Sequence, residues 1–99
     1  MDKIEFDWNP AKAKVNFEKH HVSFEEAATV FGDEFAILFD DPEHSETEER
    51  SIILGFGENA KMLIVCHCLI GDEDIIRIIS ARKATKSEEK MYAEFNIGW

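Results

Sequence analysis

Ile4, Phe6 and Trp8 alternate with Glu5 and Asp7, a period of two that predicts a half-buried strand over 4–8. The period then changes. Asn9 suits an N-cap and Pro10 the first helical turn, so a helix is expected over 9–21. On it Lys12, Asn16 and Lys19 share one face, and Ala13, Phe17 and His20 another. A short helix comes next over 22–32. Ser23 caps it, Glu26 three residues on completes a capping box, and Val22 with Ala27 forms a hydrophobic staple. Phe24, Ala27, Ala28 and Phe31 make its apolar stripe, and Gly32 ends it where a left-handed residue is usual. Apolar segments over 35–40, 50–56, 61–70 and 74–80 read as strands, and 85–95 as a final helix with Met91 and Phe95 on one side. The connections GENAK and IGDED look like hairpin turns, so the last three strands should form an antiparallel meander. The order β-α-α-β-β-β-β-α predicts an α+β fold, an antiparallel sheet packed with two N-terminal helices and a C-terminal helix.

The last strand carries a polar interruption. Strict alternation puts Arg77 on one face with Ile75 and Ile79, and Ile76, Ile78 and Ser80 on the other. A hairpin centred near Asp72 would set Arg77 opposite His67 on the neighbouring strand. An arginine amid apolar neighbours costs free energy unless its charge is paired or used. Arg82 and Lys83 stand where this strand is expected to give way to the final helix. Between Arg77 and Tyr92 five cations (Arg77, Arg82, Lys83, Lys86 and Lys90) meet only Glu88 and Glu89.

Charge makes that concentration unusual. The chain has 99 residues, 11 Lys+Arg against 21 Asp+Glu, and a formal net charge of −10. One domain over 1–99 is expected, with enough apolar residues for a core. The acidic balance argues against general affinity for a phosphate backbone but permits a local cationic site, and it suits a basic protein partner. A free-standing DNA-binding regulator fits poorly, because no basic recognition helix is present. The acids concentrate over 33–49, with no Lys or Arg among them. No apolar run approaches the roughly 20 residues of a membrane span, and the first residues do not read as a secretory signal, so a cytoplasmic location is expected. Cys66 and Cys68 flank His67. Zinc sites usually need a wider cysteine loop and a second ligand pair, so two small core residues is the simpler reading.

Three segments carry a resemblance: FDWNPAKAKVNFEKHHVSFEEAATVFGD, DDPEHSETEER and RIISARKATKSEEKMY. In order and spacing they resemble the BrnT-type toxins of bacterial type II toxin–antitoxin systems. The resemblance covers nearly the whole chain. It implies a RelE-like fold, a ribonuclease activity that inhibits translation, and neutralisation by a BrnA-type antitoxin through which the protein assembles into larger oligomers. Members usually act without a metal or organic cofactor. Where the family often has glycine after Lys-His, this chain has His21, between two helices where a left-handed backbone is expected.

The chemistry so implied is attack of an RNA 2′-hydroxyl on the adjacent phosphate. It needs a base, a cation for the developing phosphorane charge and an acid for the leaving oxygen. Arg77 and Arg82 are the candidates for charge stabilisation. Each also has a structural reading, as a partner of an acidic neighbour for Arg77 and as a helix cap or antitoxin contact for Arg82. His44 lies in an acidic loop that should raise its pKa, so it suits proton donation, or is a plain loop histidine. Lys19 and His20, at the end of the first helix, are candidates whose alternative is capping of the last carbonyls. His67 and Tyr92 read more readily as strand and packing residues than as catalysts. Two functions stay open: a ribonuclease toxin, or a non-catalytic module of the same fold that binds a basic protein. Phe95, Ile97 and Trp99 leave an apolar tail that, with the first strand, a partner should cover.

Overall fold

The computed structural model describes residues 4–41, 50–71 and 75–97. Its elements in chain order are β1 (Glu5–Asp7), α1 (Pro10–His20), α2 (Phe24–Thr29), a 3-10 turn at Val30–Gly32, β2 (Ile37–Asp40), β3 (Arg50–Phe56), β4 (Met62–Ile70), β5 (Ile75–Lys83) and α3 (Lys86–Ile97). The expected α+β order is the observed one. Strands β2 to β5 pair antiparallel in sequence order, and β1 joins β5 in parallel, giving the sheet order β1-β5-β4-β3-β2. The sheet is therefore mixed rather than wholly antiparallel, because the chain returns from β1 through α1 and α2 before it enters β2.

Period-2 burial divides the core. On one face Ile53, Leu63, Val65, Ile78 and Ala81 pack under Val22, Phe24, Ala27 and Val30. On the other, Ile37, Leu54 and Ile64 lie beneath Tyr92 of α3. The expected staple partners Val22 and Ala27 are both fully buried in the first cluster. The Ser23 hydroxyl accepts from Glu26 N at 3.0 Å, so the cap forms. The other half of the box does not: Glu26 Oε2 is buried without a partner. Gly32 is not left-handed either; α2 tightens into the 3-10 turn, and Asp33 continues in extended backbone. His21 does adopt the left-handed conformation (φ 59°, ψ 29°), and its N–H donates to Phe17 O.

Two features set the geometry around β5. Asn16 of α1 is buried, and its amide joins the free edge of β5 beyond the end of β1. Nδ2 donates to Ala81 O (2.9 Å) and Val22 O (3.0 Å), while Ala81 N donates to Oδ1 (3.1 Å). The side chain thus continues the sheet by one rung and fixes α1 to it. Second, β5 is longer than expected and bulged. Its register against β4 shifts between Cys66 and His67: Arg77 lies opposite Cys68, Ile78 opposite His67, and Ser80 opposite Cys66. Cys68, Cys66 and Ile64 alternate along β4 and share a face. Their partners Arg77, Ser80 and Arg82 therefore share one as well. Arg77 does not face His67, and Arg82 still belongs to the strand.

Candidate functional site

A groove runs along the bulge of β5 beside α1. It consists of three neighbouring cavities of about 370, 460 and 410 Å³ that share Lys12 and Ile79 as lining residues. Arg77 lines the first two, Arg50 the second, and Lys19 and His20 the third with Ser80. The register explains one row of charge. Asp7, Arg77, Cys68 and Arg50 lie side by side across β1, β5, β4 and β3, so two strand spacings separate Arg77 from Arg50, roughly 10 Å. From the other side, Lys12 and Lys19 stand seven residues apart on α1, about 10.5 Å along its axis. Four cations from three elements thus converge on one groove of an acidic chain.

Arg77 is exposed and, among the described residues, is held from one side only. Its Nε donates to Asp7 Oδ2 at 2.9 Å, and Nη2 lies 2.9 Å from the same oxygen. Nη1 bonds to no described residue, so part of the fork can accept an oxyanion while Asp7 fixes its orientation. Lys12 has no carboxylate within ion-pair distance among the described residues. Helical spacing puts Lys12 on a face with Lys19 without marking it as a site residue, and nothing local in the sequence singles out Arg50. The missing signal is spatial: neither is near Arg77 in sequence.

Arg82 is differently placed. It lies four β4 residues away from Arg77 by register, about 13 Å. Its fork is closed on Glu88: Nη1 to Oε1 and Nη2 to Oε2, both 2.9 Å. Glu88 Oε1 also accepts from Thr85 N, and Thr85 Oγ1 accepts from Glu88 N, which makes 85–88 a capping box at the start of α3. Its T-x-x-E signature is local and is a signal the sequence reading misses. The hydrogen bonds from Arg82, against some desolvation and helped by those from Thr85, hold the Glu88 carboxyl down at about 2.

A pH dependence results. The folded pKa of Glu88 lies below its ordinary value, so the associated stability is present above about pH 4.5 and is lost as pH falls towards 2. Protonation of other carboxylates also acts on this chain, so the expected result is a difference. The melting-temperature loss between pH 5 and 2 should be smaller in Glu88→Gln than in wild type, and parallel curves would refute the assignment.

His67 is buried on the face opposite Arg77, with Phe31 against its ring at 4.8 Å. Burial pushes its pKa down, opposed by a contact with Val65 O. It is a core residue. Tyr92 donates to Asp33 Oδ2 at 2.8 Å; burial and the Asp33 carboxylate push the phenol up to about 12. Burial alone would raise Asp33, yet the N–H groups of Phe56 and Phe35 and the Tyr92 hydroxyl bring it below the usual range. This network docks α3. Burial, with Asp41 nearby, pushes the Cys66 thiol up to about 11, so it is a poor thiolate. Among the described residues no three His, Cys, Asp or Glu side chains are grouped to hold a metal. His44 lies outside the described residues. No helix among them is long and apolar enough to cross a membrane.

Residues 8–88 match a family model described as the ribonuclease toxin BrnT of type II toxin–antitoxin systems. A 1.1 Å crystal structure of the Brucella abortus ribonuclease toxin BrnT has the same fold. It is 19% identical, with a TM-score of 0.66, and the match covers 85% of this chain and all of that one. No curated protein matches the chain.

Proposed function

We propose, from the premise that this chain belongs to the BrnT family of type II toxin–antitoxin ribonuclease toxins, that it cleaves RNA in the groove between α1 and β5, inhibits translation in the cytoplasm and is neutralised by a BrnA-type antitoxin. The observation that carries the reading is the convergence of Lys12, Lys19, Arg50 and Arg77 on one groove in a chain of net charge −10. Phosphate is the ligand such a groove fits, and the acidic remainder of the surface confines it there.

In this reading Arg77 and Lys12 hold the scissile phosphate and stabilise the charge that builds on its non-bridging oxygens. The 2′-hydroxyl attacks the phosphorus, the bond to the 5′-oxygen breaks, and a 2′,3′-cyclic phosphate remains. His20, beside Lys19 in the groove, and His44 are the candidates for the proton transfers. These side chains supply the reaction without a metal. Arg82 supports the site indirectly, by holding α3. The antitoxin covers exposed apolar residues, among them Phe95 and Ile97 of α3 and Ile4 before β1.

Expression in a bacterium lacking the antitoxin tests this. Growth arrest with fragmented RNA is expected, relieved by co-expression of the antitoxin. Normal growth with intact RNA at equal protein levels would overturn it in favour of a non-catalytic binding module.

A further inference from the structure

The cavity at the start of α1 offers more than a phosphate uses. It encloses about 370 Å³, and Asp7, Trp8, Asn9 and Pro10 stand in its wall beside Lys12 and Arg77. Trp8 is half-buried, with its ring edge-on to Phe24 at 5.9 Å and 82°, so the core sets its orientation. Nε and Nη2 of Arg77 both meet Asp7 at Oδ2, which leaves Oδ1 without a described donor. Asn9 spends its Oδ1 on the N–H groups of Ala11 and Lys12, and its amide NH2 donates to no described residue. One wall therefore combines an indole, a proline ring, an unused acceptor and an unused donor.

An anion alone gains nothing from the indole and is repelled by the carboxylate. A nucleobase uses all four, with flat faces to pack and an edge of donors and acceptors to pair. We propose that this cavity holds one unpaired RNA base whose adjoining phosphate lies at Arg77 and Lys12, so that the substrate is single-stranded where it is cut. The proposal rests on the reading of the groove as an RNA site. A base within a duplex has its pairing edge occupied and its faces stacked, and cannot enter. Every base carries a donor beside an acceptor on that edge, so Asp7 and Asn9 tolerate all four rather than select one.

The chain has two tryptophans, Trp8 and Trp99. The Trp99→Phe variant leaves Trp8 as its single indole, and a short RNA with 2′-fluoro sugars has no hydroxyl to attack. Titration with that single strand should quench Trp8 fluorescence, and the same sequence in duplex should not. An abasic sugar scanned along the strand should weaken binding at one position by about tenfold or more, the scale of one lost stacking partner. In parallel, kcat/KM for cleavage of the corresponding ribo-oligonucleotide by wild type should fall at the same abasic position. A flat abasic scan, unchanged Trp8 emission at saturation, or equal cleavage of duplex would overturn the base site, while Arg77-dependent cleavage left the ribonuclease reading standing. Wild type that neither binds nor cleaves RNA would instead remove the ribonuclease reading, and the base site with it.

Discussion

Arg77→Ala is expected to lower RNA cleavage by roughly 10²–10³-fold, the scale on which one preorganised charge donor acts at a transition state. The fold should hardly register the change. The ion pair with Asp7 is about half exposed on both sides (52% and 44%), and pairs of that kind contribute about 0–1 kcal/mol. Loss of activity without loss of structure separates a chemical role from a structural one. Arg77→Lys keeps the charge but loses the planar fork, and should fall between the two. Arg82→Ala should behave in the opposite way. With its fork closed on Glu88, its removal should lower the melting temperature and leave cleavage by the folded protein within a few-fold of wild type. Single-turnover cleavage by the three purified variants, with a thermal melt of each, decides the matter. Full activity in folded Arg77→Ala would sink the assignment of the groove, and a collapse of activity in folded Arg82→Ala would return that residue to the chemistry.

The largest effect on stability is expected at Asn16. Asn16→Ala removes three hydrogen bonds and strands the buried N–H and carbonyl of Ala81. An unsatisfied buried polar group costs about 1–3 kcal/mol, so a loss of about 3–5 kcal/mol is expected. Against a total stability of about 5–15 kcal/mol that is severe. At about 4–8 °C per kcal/mol the melt should move down by at least about 12 °C. Because Asn16 ties α1 to β5, Lys12 and Lys19 should lose their placement too, and RNA affinity should fall in whatever fraction remains folded. A melting temperature within about 3 °C of wild type, less than 1 kcal/mol on that scale, would show that the edge of β5 finds other partners.

Much of this molecule is legible in its residues, and the failures have physical causes. The elements are readable because their signals are local: the Ser23 cap, the left-handed demand at His21, the period of two over 50–56. Hydrogen bonding that joins distant segments is not. Asn16 stands between two lysines on a helix face that spacing alone reads as polar, and nothing local says that it completes a strand edge 65 residues on. The bulge in β5 is invisible because Ile75 to Ile79 is so apolar that either phase of the alternation looks sound. A separate miss is the turn: centred on Asp72 it sets His67 opposite Arg77, whereas Ile70 pairs with Ile75, which puts Cys68 there and leaves His67 packed on Phe31 across the sheet. Of the candidate site, Arg77, Lys19 and His20 do line one groove. Arg82 is bound to Glu88 instead, and the capping box that foretells its partner lies within six residues of it.

The extra residue in β5 acts as a parity switch. Before it, odd-numbered side chains project to the side that carries the groove; after it, even-numbered ones do. Arg77 and Arg82, five apart and destined for opposite sides in a regular strand, are thereby made to look the same way. Deleting Ile79 would not undo this, because Ser80, Ala81 and Arg82 already pair with Cys66, Val65 and Ile64 and the ladder would simply close up. Drawing Ile79 into a regular ladder would: the guanidinium of Arg82 would then turn into the layer occupied by Val22 and Val65, Ala81 would turn out of it, and α3 would lose the tether between Glu88 and Arg82. In this strand one residue left out of the pairing matters as much as the two arginines it aligns.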